Sequence, residues 1–469
     1  MTDLTEKNRN LGEKLEEQGF VLLLFSSFLI FTFFGIGSPI LFPVIGIILC
    51  IGGISEGEVH TDLWMLVPMT AGVILCGISS FFTYGNFTEG YTGLMALYPV
   101  LYLTLSYLDQ LQSRLLAQLC IFWSEIVAAA AILSFLYEGF QGNGLRAGGI
   151  IGNPNALGMF LVLGWFAILR ERKSGKQEEK PLYRAIVLLE PLILAALSLT
   201  LSMGSFLSLC AGMIVYLWQE RKRKGTKKKR SFGKVLKRII PLTGEMSLCI
   251  GTGILLFLGE NKTDYFPVVL LPVIYLVLLC MYHREIKDFF RKHLSYGWIF
   301  TGLGLCGGLV TLLLRQSAKA TFAERIEMMK NGLGYFYSHP LTGVGSYRWR
   351  VLNYMDGDQY FNTNHIHNIL IHFGAELGIL AVIILLIIFG RSLLKKKNRR
   401  ARPALTAFIV HNLMDTSFFY FADTTMLLFT NHRETGKETK IGKTKVRILY
   451  SLFILYFIYS FVLCLKINL

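Results

Sequence analysis

The 469-residue sequence predicts an all-α polytopic membrane protein with about 13–15 transmembrane helices and one long, partly helical external loop. Three observations lead there. Only 17% of the residues are charged and 53% are hydrophobic, whereas a soluble domain carries roughly a quarter of its residues as Asp, Glu, Lys and Arg. The apolar residues come in runs of about 20, enough to cross the hydrocarbon core of a bilayer. The basic residues cluster between those runs rather than being spread over a surface. A soluble enzyme, a disordered chain and a disulfide scaffold are excluded.

Residues 1–18 are polar and mixed in charge. The apolar run from about Phe20 leads into further apolar runs rather than to a small-residue cleavage site, so it reads as a first span and not as a removable signal peptide. Further spans are expected at about 38–54, 62–83, 93–107, 115–137, 156–170, 185–200, 203–218, 239–258, 266–282, 297–314, 367–390, 403–415, 417–430 and 447–466. The pair between 403 and 430 consists of short members with Asp415 between them. Segments 171–184, 219–238, 283–296, 391–402 and 431–447 hold most of the 47 Lys and Arg. With the N-terminus inside, all of them fall in the cytoplasm. The +16 net charge therefore reads as anchoring to anionic lipid headgroups, not as nucleic-acid binding. The eight cysteines fall inside apolar runs and read as small core hydrophobes.

This topology leaves two external segments longer than a connection needs, and long structured loops usually carry function. The first, 138–156, contains Arg146 and then Gly152-Asn153-Pro154-Asn155 at a helix start, where Pro and Asn cap the helix and its amides favour an anion. The second is 315–366. In it Phe322, Ile326, Met329, Leu333 and Phe336 recur at helical spacing, a stripe suited to lying in the membrane interface with Arg325 at phosphate depth. An Arg that merely snorkels to solvent is the alternative. The turn-rich Pro340-Leu341-Thr342-Gly343-Val344-Gly345 reads as a structural bend. Arg348 and Arg350 follow, then the polar tract Asp356, Asp358, Asn362, Asn364, suited to sugar hydroxyls or to water.

The chain re-enters the membrane at His365-Ile366-His367-Asn368, with Glu376 early in the next span. Ionisable groups at the mouth of a span are costly unless paired, so a functional role is the default. A neutral imidazole there can take a proton from a sugar hydroxyl; a purely structural hydrogen bond is the bland alternative. No Cys and no clear third ligand accompanies the two histidines, so no metal site is expected.

In this order, Gly152-Asn153-Pro154-Asn155-Ala156, Arg325, Pro340 to Gly345, His367-Asn368 and Glu376-Leu377-Gly378-Ile379 resemble the O-antigen ligase and O-antigen polymerase family. The resemblance covers roughly residues 140–430. It implies a multi-span glycosyltransferase at the outer face of the bacterial cytoplasmic membrane, passing a glycan from undecaprenyl pyrophosphate to another lipid-linked glycan (polymerisation) or to a lipid or wall anchor (ligation). It implies no cofactor and no nucleotide sugar. By the same resemblance Arg325 holds the diphosphate and His367 assists the acceptor hydroxyl as the catalytic pair. Arg146, Asn155, Arg348, Arg350, His365, Asn368 and Glu376 are the candidate substrate-binding residues. One departure is visible: where family members often carry an Arg in a Ser-Arg-Gly stretch, this chain has Ser202-Met203-Gly204, so Arg146, Arg348 or Arg350 must stand in.

The expected organisation is an N-terminal helical region (1–137), a catalytic membrane region (138–430) and a basic linker with a last span (431–469). Polymerase is favoured over ligase. The rival readings are a transporter or flippase for lipid-linked glycans, which would need ionisable groups near mid-membrane, and a member that binds the lipid-linked glycan without catalysis.

Overall fold

The computed structural model describes residues 18–34, 40–89, 92–141, 146–172, 181–221, 232–262, 266–314, 318–355, 363–395, 399–432 and 439–468. Within them every predicted apolar run is helical. The helices in chain order are α1 (Gly19–Phe34), α2 (Leu41–Ser55), α3 (Leu63–Tyr84), α4 (Thr92–Leu105), α5 (Gln110–Phe140), α6 (Pro154–Arg172), α7 (Pro181–Leu199), α8 (Met203–Arg221) and α9 (Phe232–Lys262). Then come α10 (Phe266–Lys292), α11 (Leu294–Leu314), α12 (Ala318–Ser338), α13 (Trp349–Met355), α14 (Ile369–Leu377), α15 (Ile379–Leu394), α16 (Arg402–Asn412), α17 (Phe421–Asn431) and α18 (Lys443–Asn468). The protein is an all-α, multi-pass membrane protein. Six of these helices are long and apolar enough to cross a bilayer, and five shorter apolar helices accompany them. At 1.5 Å per residue, α14, α16 and α17 are each about 13–17 Å long, roughly half a hydrocarbon core.

The helices form because a bilayer offers no partner for a bare backbone, and an α-helix pairs its amides within itself. Their occasional hydroxyls follow the same rule: Ser27 and Thr32 in α1 donate to the carbonyls of Leu23 and Phe28, one turn back. Asp62 caps α3, accepting from the Trp64 amide, and its carboxylate also holds Arg391 at 3.0 Å and Lys395 at 2.9 Å.

Two compact units are present, and neither is continuous in sequence. The first comprises residues 1–120, 328–397 and 428–469; the second comprises 121–327 and 398–427. Helix α5 passes from the first to the second after Cys120, and α12 passes back after Glu327. In the first unit the ring of Tyr450 on α18 lies where Gly53 of α2 has no side chain, and Phe457 does the same at Gly46. Small residues admit this close approach of apolar helices. There too, β1 (Val59–Thr61) pairs antiparallel with β2 (Thr439–Ile441), Val59 opposite Ile441. In the second unit Gly244 of α9 admits the Phe290 ring of α10, and Gly297 of α11 admits Ile240 of α9.

The span expected at 367–390 is not one helix. It starts at Ile369, where the Asn368 side chain accepts from the Leu370 and Ile371 amides, and it breaks at Gly378, which has φ 78°. The break is held from outside the helix: the Ile379 amide donates to the Pro340 carbonyl at 2.8 Å, and a Cβ at Gly378 would run into the Leu341 carbonyl. Gly378→Ala is therefore expected to cost about 3 kcal/mol or more, from the positive φ together with the backbone clash. A fall of the thermal unfolding midpoint in lipid checks this; an unchanged midpoint would mean that the loop gives way freely.

Candidate functional site

The sequence-predicted residues fall into two groups, one in each unit. In the second unit the Gly152-Asn153-Pro154-Asn155 stretch folds as a helix start. The Asn153 side chain accepts from the amides of Asn155 (2.8 Å) and Ala156 (3.1 Å), and Pro154 takes the first position, where no amide is missed. Asn155 then holds Arg146: the guanidinium donates through Nη2 to Asn155 Oδ1 at 2.7 Å and through Nε to the Thr200 carbonyl at 2.8 Å.

Thr200 begins the turn between α7 and α8. Leu201 in that turn is one of only two non-glycine residues with positive φ among the described residues, at 47°. Such backbone strain persists only where the surroundings over-determine it. Ser202 follows, and its Oγ accepts from the Ser205 amide at 3.3 Å, capping α8. Met203, the position of the departure, is thus the first residue of α8, three residues from the carbonyl that Arg146 holds. Arg146 brings its charge to this turn, beside the capped starts of both α6 and α8.

Arg325 lies in the same unit. Its Nη1 donates to the Met414 carbonyl and its Nη2 to Asp415 Oδ2, both at 2.9 Å. Its Nε is buried, with no hydrogen-bond partner among the described residues. Asp415 in turn accepts from the Thr416 amide at 2.9 Å. The short pair α16 and α17 thus supplies the carboxylate that fixes Arg325. Buried beside it, His411 meets Ser205 Oγ through Nε2 (3.2 Å) and Ser417 Oγ through Nδ1 (2.9 Å). Gly204 permits this: a Cβ there would stand 3.4 Å from the His411 ring and 3.8 Å from Asp415 Oδ2. Sequence reading missed His411, Ser205 and Ser417. The available signal was the density of polar residues between two short apolar runs.

The other group is in the first unit. The Pro340 to Gly345 stretch is the structural bend expected, and its partner is the Glu376-Leu377-Gly378-Ile379 stretch. The Val344 amide donates to the Ala375 carbonyl at 2.8 Å, the Gly345 amide to the Glu376 carbonyl at 3.0 Å, and Gly343 (φ 67°) lies against the Glu376 backbone. The fully buried Glu376 carboxylate accepts from the amides of Tyr347 (2.7 Å) and Trp349 (3.1 Å). Tyr347 is the second strained residue, with φ 58°. Its pinned conformation sets out the two exposed arginines, Arg348 and Arg350, the latter stacked over the Tyr347 ring at 4.1 Å.

His365 and His367 lie in the turn before α14, and the Asn368 oxygen is engaged in capping that helix. The His365 ring packs edge-on against buried His372, with centroids 5.2 Å apart. Burial first, then the neighbouring His367 and Arg350, pushes the His365 imidazole down to about 3, so it is neutral at physiological pH. Among the described residues of α12, Met328 and Gly332 are buried, Met328 packing with Trp349, Ile366 and Ala375, while Phe322 and Ile326 of the predicted stripe are exposed. Asp356, Asp358 and Asn362 lie outside the described residues, as do residues 222–231 of the basic segment 219–238.

Residues 191–386 match the family model described as O-antigen ligase. This match supports the O-antigen ligase/polymerase family and, with it, a membrane glycosyltransferase-like role in polysaccharide assembly. The matched span contains Arg325, Arg348, Arg350, His365, His367, Asn368 and Glu376, and begins downstream of Arg146 and Asn155. No curated protein matches the chain.

Proposed function

We propose that this chain, bearing an O-antigen ligase domain, transfers or polymerises undecaprenyl-pyrophosphate-linked oligosaccharide on the outer face of the bacterial cytoplasmic membrane during cell-surface polysaccharide biosynthesis. Polymerisation is the favoured form. Beyond the family match, the observation that carries the reading is the Arg325 guanidinium: anchored on two sides by Met414 and Asp415, it keeps a buried Nε–H with no partner among the described residues. A fixed, partly desolvated donor of this kind suits a diphosphate whose charge grows as it leaves. Arg146 supports it by placing a second guanidinium at the turn where Met203 replaces the expected arginine. That substitution is the reason for weighing a non-catalytic binder, and Arg146 weakens it.

In the proposed reaction the acceptor hydroxyl oxygen forms a bond to the anomeric carbon of the donor sugar, and the bond from that carbon to the pyrophosphate oxygen breaks. His367 takes the hydroxyl proton, and undecaprenyl pyrophosphate departs with the bonding pair. Asn155, Arg348, Arg350, His365, Asn368 and Glu376 are proposed to bind or shape the sugar and lipid substrates, Glu376 through the loop it pins. Residues 138–430 are proposed as the catalytic membrane region.

The test is to incubate the purified protein in lipid with its host's undecaprenyl-pyrophosphate oligosaccharide and size the glycans, with His367→Ala alongside. A ladder made by the intact protein alone supports polymerisation. A single shifted product on an added acceptor means ligation. A donor that binds and emerges unchanged overturns the reading in favour of transport or binding.

The orientation has its own test. In a background without native cysteines, Lys228→Cys is expected to resist a membrane-impermeant thiol reagent in whole cells, and Asp358→Cys to be labelled. The reverse pattern would put the site on the cytoplasmic face.

A further inference from the structure

The second unit buries another polar centre, in the helices rather than in the turns that join them. Glu125 of α5, Glu190 of α7, Glu245 of α9 and His283 of α10 are all at most 4% exposed. His283 Nδ1 lies 2.8 Å from Glu245 Oε1, and Lys287, one turn further along α10, pairs with the other oxygen of Glu245. Arg172, at the end of α6, pairs with Glu190. Ligand atoms of Glu190, Glu245 and His283 all lie within 4.8 Å of one another. Helix α6 carries Asn155 at its start and Arg172 at its end, so at 1.5 Å per residue this centre is about 26 Å along the helix from the Arg146 group.

The charges do not balance. Glu190 and Glu245 are matched by Arg172 and Lys287. Glu125 is fully buried within the electrostatic reach of Glu190 and Arg172, and neither of its carboxylate oxygens has a hydrogen-bond partner among the described residues. Cys280 lies within electrostatic reach of Glu125, Cys249 of Glu190 and Glu245, and Tyr183 and Tyr216 of Arg172. Three carboxylates thus meet two fixed cations, and an uncompensated charge among apolar helices is costly. One further unit of positive charge, on His283 or from a bound ion, balances them. A divalent ion would overshoot that single charge.

We propose that the Glu125–Glu190–Glu245–His283 centre binds one exchangeable monovalent cation, a sodium ion or a proton, and that its occupancy fastens α5, α7, α9 and α10 together. The side chains of Arg172 and Lys287, 20% and 15% exposed, mark the end from which the ion enters. This inference does not depend on the proposed glycosyltransfer.

The test uses the full-length protein in lipid, with thermal unfolding followed at constant ionic strength as sodium chloride replaces choline chloride, at mildly acidic and mildly alkaline pH. A ligand that binds only the folded state raises the midpoint, here by about 3 °C or more at saturating cation. A sodium-dependent rise that Glu125→Gln abolishes identifies sodium. A sodium-independent rise on acidification that Glu125→Gln abolishes identifies the proton. Glu190→Gln rebalances the same charges and is expected to abolish the same response, which covers the case in which Glu125→Gln does not fold. A wild-type midpoint indifferent to both ions, a response that both variants retain, or a response to Mn²⁺ or Zn²⁺ alone would overturn the proposal.

Discussion

Arg325→Lys is expected to lower glycan transfer by on the order of 10²–10³-fold, the loss typical when one preorganised donor to a developing negative charge is removed. The guanidinium reaches the Met414 carbonyl and Asp415 Oδ2 at 2.9 Å each and still has Nε–H to offer. A lysine ammonium is a point charge on a flexible stem and cannot span a carbonyl, a carboxylate and a diphosphate in one fixed geometry. The positive charge is retained, so a large loss would show that the fork matters and not merely the charge. Asp415 keeps a cationic neighbour, and the stability cost is expected to stay within about 1–3 kcal/mol. The measurement is the initial rate of donor consumption by protein that remains folded and monodisperse. A rate within about threefold of wild type would remove Arg325 from the diphosphate site.

The helices were legible because the bilayer makes a coarse demand that a sequence must answer coarsely, with runs of apolar residues of sufficient length. What the runs could not disclose was where a helix is cut by a contact from elsewhere in the chain. Gly378 lies in a stretch that reads as one span, and the break exists because Pro340 and Leu341, nearly forty residues earlier, supply the backbone partners. The family motifs Pro340 to Gly345 and Glu376 to Ile379 were visible separately. That they are two halves of one backbone contact, with Glu376 pinning Tyr347 and Trp349, needed the fold.

The Arg146 group shows the same limit. Asn153 and Pro154 announce a helix start locally, but Arg146 meets Thr200 across more than fifty residues, and no spacing rule connects them. Asp415 stood out only as an awkward charge between two short runs. Its pairing with Arg325 supplies the reason for the charge, and His411 and Ser417 close by were hidden because a buried histidine leaves no periodic trace.

His367→Gln is expected to reduce turnover by about 10²–10⁴-fold while leaving donor binding within about twofold, because general-base assistance contributes to the transition state and little to the ground state. The turn that carries His367 is held on both sides: the Asn368 amide donates to the Ile366 carbonyl at 2.7 Å, and the Asn368 side chain caps α14. A glutamine there keeps much of the size and the hydrogen-bonding capacity, so the backbone has no reason to move, and only the basic nitrogen is lost. His365 provides the comparison. Its imidazole is held at about 3, so it stays neutral through the working range and its protonation cannot shape the rate there. His365→Gln is therefore expected to leave the shape of the wild-type pH–rate profile unchanged over that range. A full rate in His367→Gln, or a pH–rate profile reshaped in His365→Gln, would move the base to another residue. Weaker donor binding in His367→Gln would recast the residue as part of the substrate seat.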